Sequence, residues 1–169
     1  VITGGNGGIG LGIAEGLASS GCNVAILGRN EEKNQLSKDL LNKFGTKIET
    51  YKVDVSKESD VKNTISKVVN DFGRIDSVFA NAGVNIYGGS FENMDTDVYR
   101  KILSVNLDGV FFTLRETCKH MVERAKNGDP GGSLVGIASL AGIEGAAKTQ
   151  PYSASKGGVR AMIKGCLLY

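Results

Sequence analysis

Short apolar runs separated by stretches of helical periodicity constrain this chain more than any other feature. Residues 22–27 (CNVAIL), 47–53, 75–80 (IDSVFA) and 133–138 (SLVGIA) each read as a buried strand. Between them, Asn30 reads as the cap of a helix with Leu36, Leu40, Leu41 and Phe44 on one face. Ser56 reads as the cap of a second helix, with Val61, Ile65, Val68 and Phe72 on its apolar stripe. A long helix is expected over about 97–126, stopped by the Gly and Pro of 127–132 (NGDPGG), and another from Tyr152 onward. Strands alternating with helices imply right-handed crossovers, hence an α/β, doubly wound parallel sheet. No internal repeat or linker divides residues 1–169, so a single domain is expected.

The first strand is represented by Val1 and Ile2 alone, and only five strands can be counted before the last helix. A doubly wound dinucleotide fold has six. The expectation is therefore a domain cut at both ends, poorly stable and inactive by itself, with the apolar end at Leu167, Leu168 and Tyr169 stopping in mid-helix.

Composition narrows the classes. Apolar residues make up 41% and charged residues 22%, which excludes a disordered chain or a coiled coil. A net charge of +2 argues against a nucleic-acid or anionic-membrane partner, and no apolar run approaches a spanning length. Cys22, Cys118 and Cys166 lack metal or redox spacing and read as small hydrophobes in a reducing, cytoplasmic setting. His120 has no second histidine at ligand spacing, which speaks against a metal site. Glycine, at 24 residues, is about twice its usual share and clustered, marking places where backbone turns sharply or approaches a ligand.

The first cluster, VITGGNGGIG, holds two overlapping patterns, Gly5-x-Gly7-x-x-Gly10 and Thr3-Gly4-x-x-x-Gly8-Ile9-Gly10. Glycines there leave backbone N–H groups open to a pyrophosphate at the N-terminus of a helix expected over 11–20. A tight turn without a ligand uses the same residues, so the turn alone leaves both readings open. About 20 residues further on, an NAD site carries an acid for the ribose hydroxyls. Here the chain reads Gly28-Arg29-Asn30, and a guanidinium suits a 2′-phosphate. NADP(H) is expected over NAD(H), which stays possible because Glu31 and Glu32 follow closely.

Tyr152-x-x-x-Lys156 places a phenol and an ammonium on one helix face, where the cation favours the phenolate. Ser139 stands at the end of the fifth strand, and Asn81-Ala82-Gly83 follows the fourth. Taken together, TGGNGGIG, Asp54-Val55, NAG, Val105-Asn106, Ser139-x-x-Gly142 and YSASK resemble the short-chain dehydrogenase/reductase family, in family order and over essentially the whole chain. Ala80 stands where the family's NNAG has its first Asn.

The resemblance implies a Rossmann fold and an oxidoreductase interconverting a secondary alcohol and a carbonyl. Tyr152 would be the general acid, Lys156 would hold the nicotinamide ribose and tune Tyr152, and Ser139 would orient the substrate oxygen. Asn106 would hold a water for proton relay, while Ser153 and Ser155 read as surface or packing residues. The cofactor set would comprise Thr3, Gly4, Asn6, Gly8, Ile9, Gly10, Arg29, Asn30, Asp54, Val55, Asn81, Ala82, Gly83, Tyr152 and Lys156, with no metal. It further implies a small-molecule alcohol or carbonyl substrate and a homodimer or homotetramer, packed through the helix around 109–126 and the last helix. Residues 140–150 would line part of the substrate pocket. A non-catalytic NADP-binding sensor or scaffold is the competing reading, and the set Asn106, Ser139, Tyr152 and Lys156 argues against it.

Overall fold

The computed structural model describes residues 1–166; residues 167–169, expected to end the last helix, lie outside the described residues. Five strands, β1 (Ile2–Thr3), β2 (Val24–Gly28), β3 (Ile48–Lys52), β4 (Ser77–Ala80) and β5 (Ser133–Gly136), form one parallel sheet in the order β3-β2-β1-β4-β5. The order reverses between β1 and β4, the point at which crossovers leave for opposite faces and a crevice opens.

The central strands β1 and β2 bury both faces. In β2, Val24 and Ile26 pack with Ile2, Ala14, Ala18, Leu41 and Ile48 on one side. Ala25 and Leu27 turn the other way, towards Tyr51, Val61, Ile65, Val68 and Met121. Each fully buried Ile or Leu contributes about 1.5–3 kcal/mol, which is why short runs suffice as strands. Helices α1 (Gly8–Ser19) and α2 (Glu31–Leu41) supply the first layer, and α3 (Glu58–Phe72) and α5 (Gly109–Lys126) the second.

Several local expectations change. In α2, Leu36 and Leu40 face solvent at 62% and 45% exposure, while Asn34 and Ser37 point inward beside Leu41. Asn34 takes an inward position because its amide reaches the strand-end carbonyls of Gly28 and Tyr51, while the Ser37 hydroxyl donates to the Asn34 carbonyl within the helix. Asn30 does cap α2, accepting from Lys33 N–H. Ser56 is not a cap: its N–H and hydroxyl both go to Asp54, and α3 starts after Lys57. The long helix is split into α4 (Thr96–Leu103), capped by Asp95, a π-helical turn (Ser104–Asp108) and α5. The last two helices are α6 (Ala141–Glu144) and α7 (Gln150–Cys166). All three cysteines are free thiols, and Cys22 and Cys166 are exposed rather than packed as small hydrophobes.

His120, on α5, has a structural partner. Its Nε2 accepts the Ile75 N–H at 3.2 Å, while Arg124 Nη1 donates to the Ile75 carbonyl at 2.9 Å, so α5 grips both backbone groups of Ile75, two residues before β4. Burial, reinforced by Arg124 and Arg74 against the pull of Asp76, holds the imidazole pKa below its ordinary 6.5. A base with a depressed folded pKa binds fewer protons folded than unfolded, so its stability contribution is intact above about 6.5 and is lost as pH falls through the lowered value. Denaturant unfolding measured from pH 7.5 to 5 should show this loss, and His120→Ala should remove it while costing about 1 kcal/mol at neutral pH.

Candidate active site

At the sheet's switch point the ends of β1 and β4 are stitched together. Thr3 Oγ1 accepts the backbone N–H groups of Asn81 and Ala82, each at 3.0 Å. Asn81 Nδ2 returns hydrogen bonds to the Thr3 and Gly4 carbonyls at 3.0 and 3.3 Å. The glycine turn is thereby held against the NAG turn. Gly8 has φ +51 with open space around any added Cβ, so backbone freedom is what it supplies. Gly10 supplies closeness instead: a Cβ there would lie 2.3 Å from the Gly4 carbonyl oxygen.

Above this junction a cleft of about 380 Å³ runs along the C-terminal ends of the strands. Gly4, Asn6 and Ile9 line it from the glycine turn, Arg29, Asp54 and Val55 from the ends of β2 and β3, and Asn81, Ala82 and Gly83 from β4. Thr3 and Gly10 lie buried beneath it, Gly8 is exposed outside its lining, and Asn30 is committed to its cap. Glycines that add no side chain to an open cradle, a helix N-terminus and a cation at one end fit a dinucleotide phosphate ligand. Arg29 makes no ion pair among the described residues, while the neighbouring Glu31 is drawn 2.7 Å from Lys52. Burial of the Asp54 carboxyl opposes ionisation, but bonds from the Ser56 hydroxyl and N–H, with Lys101 and Arg29 nearby, outweigh it and hold the pKa below the carboxylate range.

The four residues expected to be catalytic are outside the cleft lining, and Gly83 is the joint. A Cβ at Gly83 would lie 3.4 Å from Asn106 Oδ1 and 3.6 Å from Lys156 Nζ. Lys156 is only 4% exposed; its ammonium donates to the Ile137 carbonyl at 2.6 Å and lies 5.8 Å from the Tyr152 ring centroid. Burial pushes its pKa down. Ser139, two residues beyond Ile137, accepts the Ala141 N–H on its Oγ at 3.3 Å. Its loop is pressed onto α7 through Gly142, where a Cβ would come within 2.6 Å of Gly157 N and Lys156 C.

Asn106 sits in the π turn, fully buried, with Oδ1 accepting from Val84 N–H at 2.7 Å and Nδ2 donating to the Val84 carbonyl and Ser155 Oγ. Ser155, expected at the surface or in packing, is fully buried and donates to the Tyr152 carbonyl at 2.7 Å. It therefore links Asn106 to the helix bearing Tyr152 and Lys156. Sequence reasoning gave no bonding role to two buried polar residues beside the site: Ser155, in plain view before Lys156, and Asn34, whose signal is a poor helix former inside a helix.

A family model described as short chain dehydrogenase matches residues 1–167. The chain is 35% identical over 144 residues to sorbose reductase of Schizosaccharomyces pombe, covering 84% of this chain and 54% of that protein. It is 35% identical over 169 residues to the NADP-dependent (R)-specific alcohol dehydrogenase of Lentilactobacillus kefiri, covering 99% and 64%. The crystal structure of NAD+-bound xylitol dehydrogenase matches with a TM-score of 0.93 at 31% identity, covering 99% of this chain and 62% of that one. The chain thus spans 54% to 64% of the length of these relatives.

Because Gly142 brings the Ser139 loop into backbone contact with α7, Gly142→Ala should destabilise the protein by about 1–3 kcal/mol through overpacking. Gly12→Ala, at an exposed helical site with nothing within 4 Å, is the control and should be neutral or stabilising. Equal melting temperatures for the two variants would contradict this docking role.

Proposed function

The chain belongs to the short chain dehydrogenase family, and from that premise we propose that it serves an NADP(H)-dependent oxidoreductase interconverting a secondary alcohol and a carbonyl. The observation that carries this reading is the buried ammonium of Lys156 beneath the Tyr152 ring, with a carbonyl and, among the described residues, no carboxylate as its partner. A buried ammonium beside a phenol is placed to stabilise the charge that forms when the phenol gives up its proton.

Each residue has a definable task. Ser139 Oγ accepts from Ala141, which leaves its hydroxyl hydrogen to donate to the substrate oxygen. In reduction, Tyr152 gives its phenolic proton to that oxygen, and Lys156 stabilises the phenolate left behind. When bound, the nicotinamide supplies the hydride in reduction and accepts it in oxidation. Both Asn106 Nδ2 hydrogens are engaged, so a relay water at Asn106 would be held by its oxygen atoms. Arg29, free of ion pairs at the end of β2, would receive the 2′-phosphate that distinguishes NADP(H), and NAD(H) would bind more weakly. Relatives point the same way in part, since one is NADP-dependent by name and another binds NAD+.

Among the described residues no helix is long and apolar enough to cross a membrane. A cytoplasmic setting and a homodimer or homotetramer belong to the same reading; Phe111 and Val122, 42% and 48% exposed on α5, offer an apolar contact for a second copy.

In the full-length protein, Tyr152→Phe should lower turnover of a responsive carbonyl by at least about a hundredfold while leaving NADPH affinity within about threefold. Turnover that survives the substitution would overturn the acid–base assignment, whereas NADPH binding without turnover across a broad carbonyl panel would favour the sensor reading. Arg29→Asp should shift the NADPH-to-NADH affinity ratio towards NADH by about tenfold to a hundredfold, measured by fluorescence titration.

A further inference from the structure

Asn34 takes no part in the chemistry above, yet it is 2% exposed and makes three hydrogen bonds. Its Nδ2 donates to the carbonyls of Gly28 at 3.0 Å and Tyr51 at 3.3 Å, at the ends of β2 and β3. Its Oδ1 accepts from Asn6 Nδ2 at 2.6 Å, in the glycine turn. Backbone carbonyls can only accept, so the Asn34 amide has one workable orientation, with its oxygen turned to Asn6. Asn6 must then present an N–H to Asn34, and its own Oδ1 is the end left over. The pair lies across Gly28, where a Cβ would come within 2.3 Å of Asn6 Nδ2 and 2.5 Å of Asn34 Oδ1.

Asn6, Gly28 and Arg29 all line the cleft, whereas Asn34 does not. One buried amide therefore joins three separate backbone segments where the cleft meets the cation expected to take the 2′-phosphate. We propose that Asn34 is a positioning residue for the adenosine-ribose end of the cofactor site, fixing the Asn6 amide and the Gly28–Arg29 backbone so that NADP(H) meets a preorganised surface. Leucine, of the same branching and better helix propensity, would serve packing alone. A buried asparagine satisfied on both its donor and acceptor sides costs side-chain entropy and desolvation that geometry at the cleft must offset. The inference rests on the NADP(H) reading of the cleft.

The test measures dissociation constants for NADPH and for adenosine 2′-monophosphate in the unaltered protein, Asn34→Leu, Asn6→Ala and the double variant. Asn34→Leu should weaken both ligands by about tenfold. The KM for NADPH should rise accordingly, while kcat at saturating NADPH and the KM for the carbonyl stay within about twofold. The double variant should bind no more weakly than Asn34→Leu, because the two residues act as one unit. Should the leucine variant fail to fold, Asn34→Ala, which preserves the helix and leaves room for water at the two carbonyls, carries the same expectation. A lowered melting temperature with unchanged NADPH affinity, or fully additive effects with Asn6→Ala, would overturn the proposal and leave Asn34 a packing residue. Failure of the unaltered protein to bind NADPH would overturn the cofactor reading and this inference together.

Discussion

The hydroxyl of Thr3 accepts two backbone N–H groups from the far side of the sheet's switch point, and the rest of the site is built on that junction. A parallel sheet whose order reverses leaves a gap where two strand ends part company, with backbone donors facing it. Thr3 satisfies two of them, and Asn81 returns the favour to the carbonyls of Thr3 and Gly4. The glycine turn and the NAG turn consequently move as one piece. Without the stitch the cleft would have two independently flexible walls, and a cofactor bound there would have to supply the ordering free energy itself.

The second constraint is the Lys156 charge. Burying an ammonium costs several kcal/mol unless partners compensate, and here the compensation is partial: one carbonyl oxygen and the face of a tyrosine ring. The residual cost appears as a pKa held down by desolvation. Among the described residues this ammonium meets no carboxylate, and in the reading proposed above its charge is available to a phenolate at Tyr152. Ser155 and Asn106 brace the same helix from below, so the polar network around α7 keeps fixed the spacing on which that effect depends.

Much of this was readable in the order of the residues. The alternation of apolar runs and helical stretches led to the parallel sheet, since a strand buried on both faces needs apolar residues throughout, as in β2. The TGGNGGIG turn, Arg29 and NAG led to the cleft, and YSASK to the helix that carries Tyr152 and Lys156. What misled was polar burial. Leu36 and Leu40 were expected inside α2, where Asn34 and Ser37 are found instead: hydrophobic periodicity cannot register that Asn34 meets the Gly28 and Tyr51 carbonyls and Ser37 the Asn34 carbonyl of its own helix. The split of the long helix at Asn106 was equally hidden, since the π turn answers to Val84 and Ser155, both distant in sequence.

The sequence by itself determined the fold class, the glycine turn and the candidate reacting groups, because each depends on residue type and short-range spacing. Tertiary structure alone decided which polar groups are committed to one another. It assigned Thr3 and Asn81 to a stitch, Ser139 to a loop pressed on α7, and Asn34 to the base of the cleft. The physical reason is that hydrogen bonds have direction and saturate. Which donor meets which acceptor depends on where separate strands end, and that is settled only when the sheet has formed.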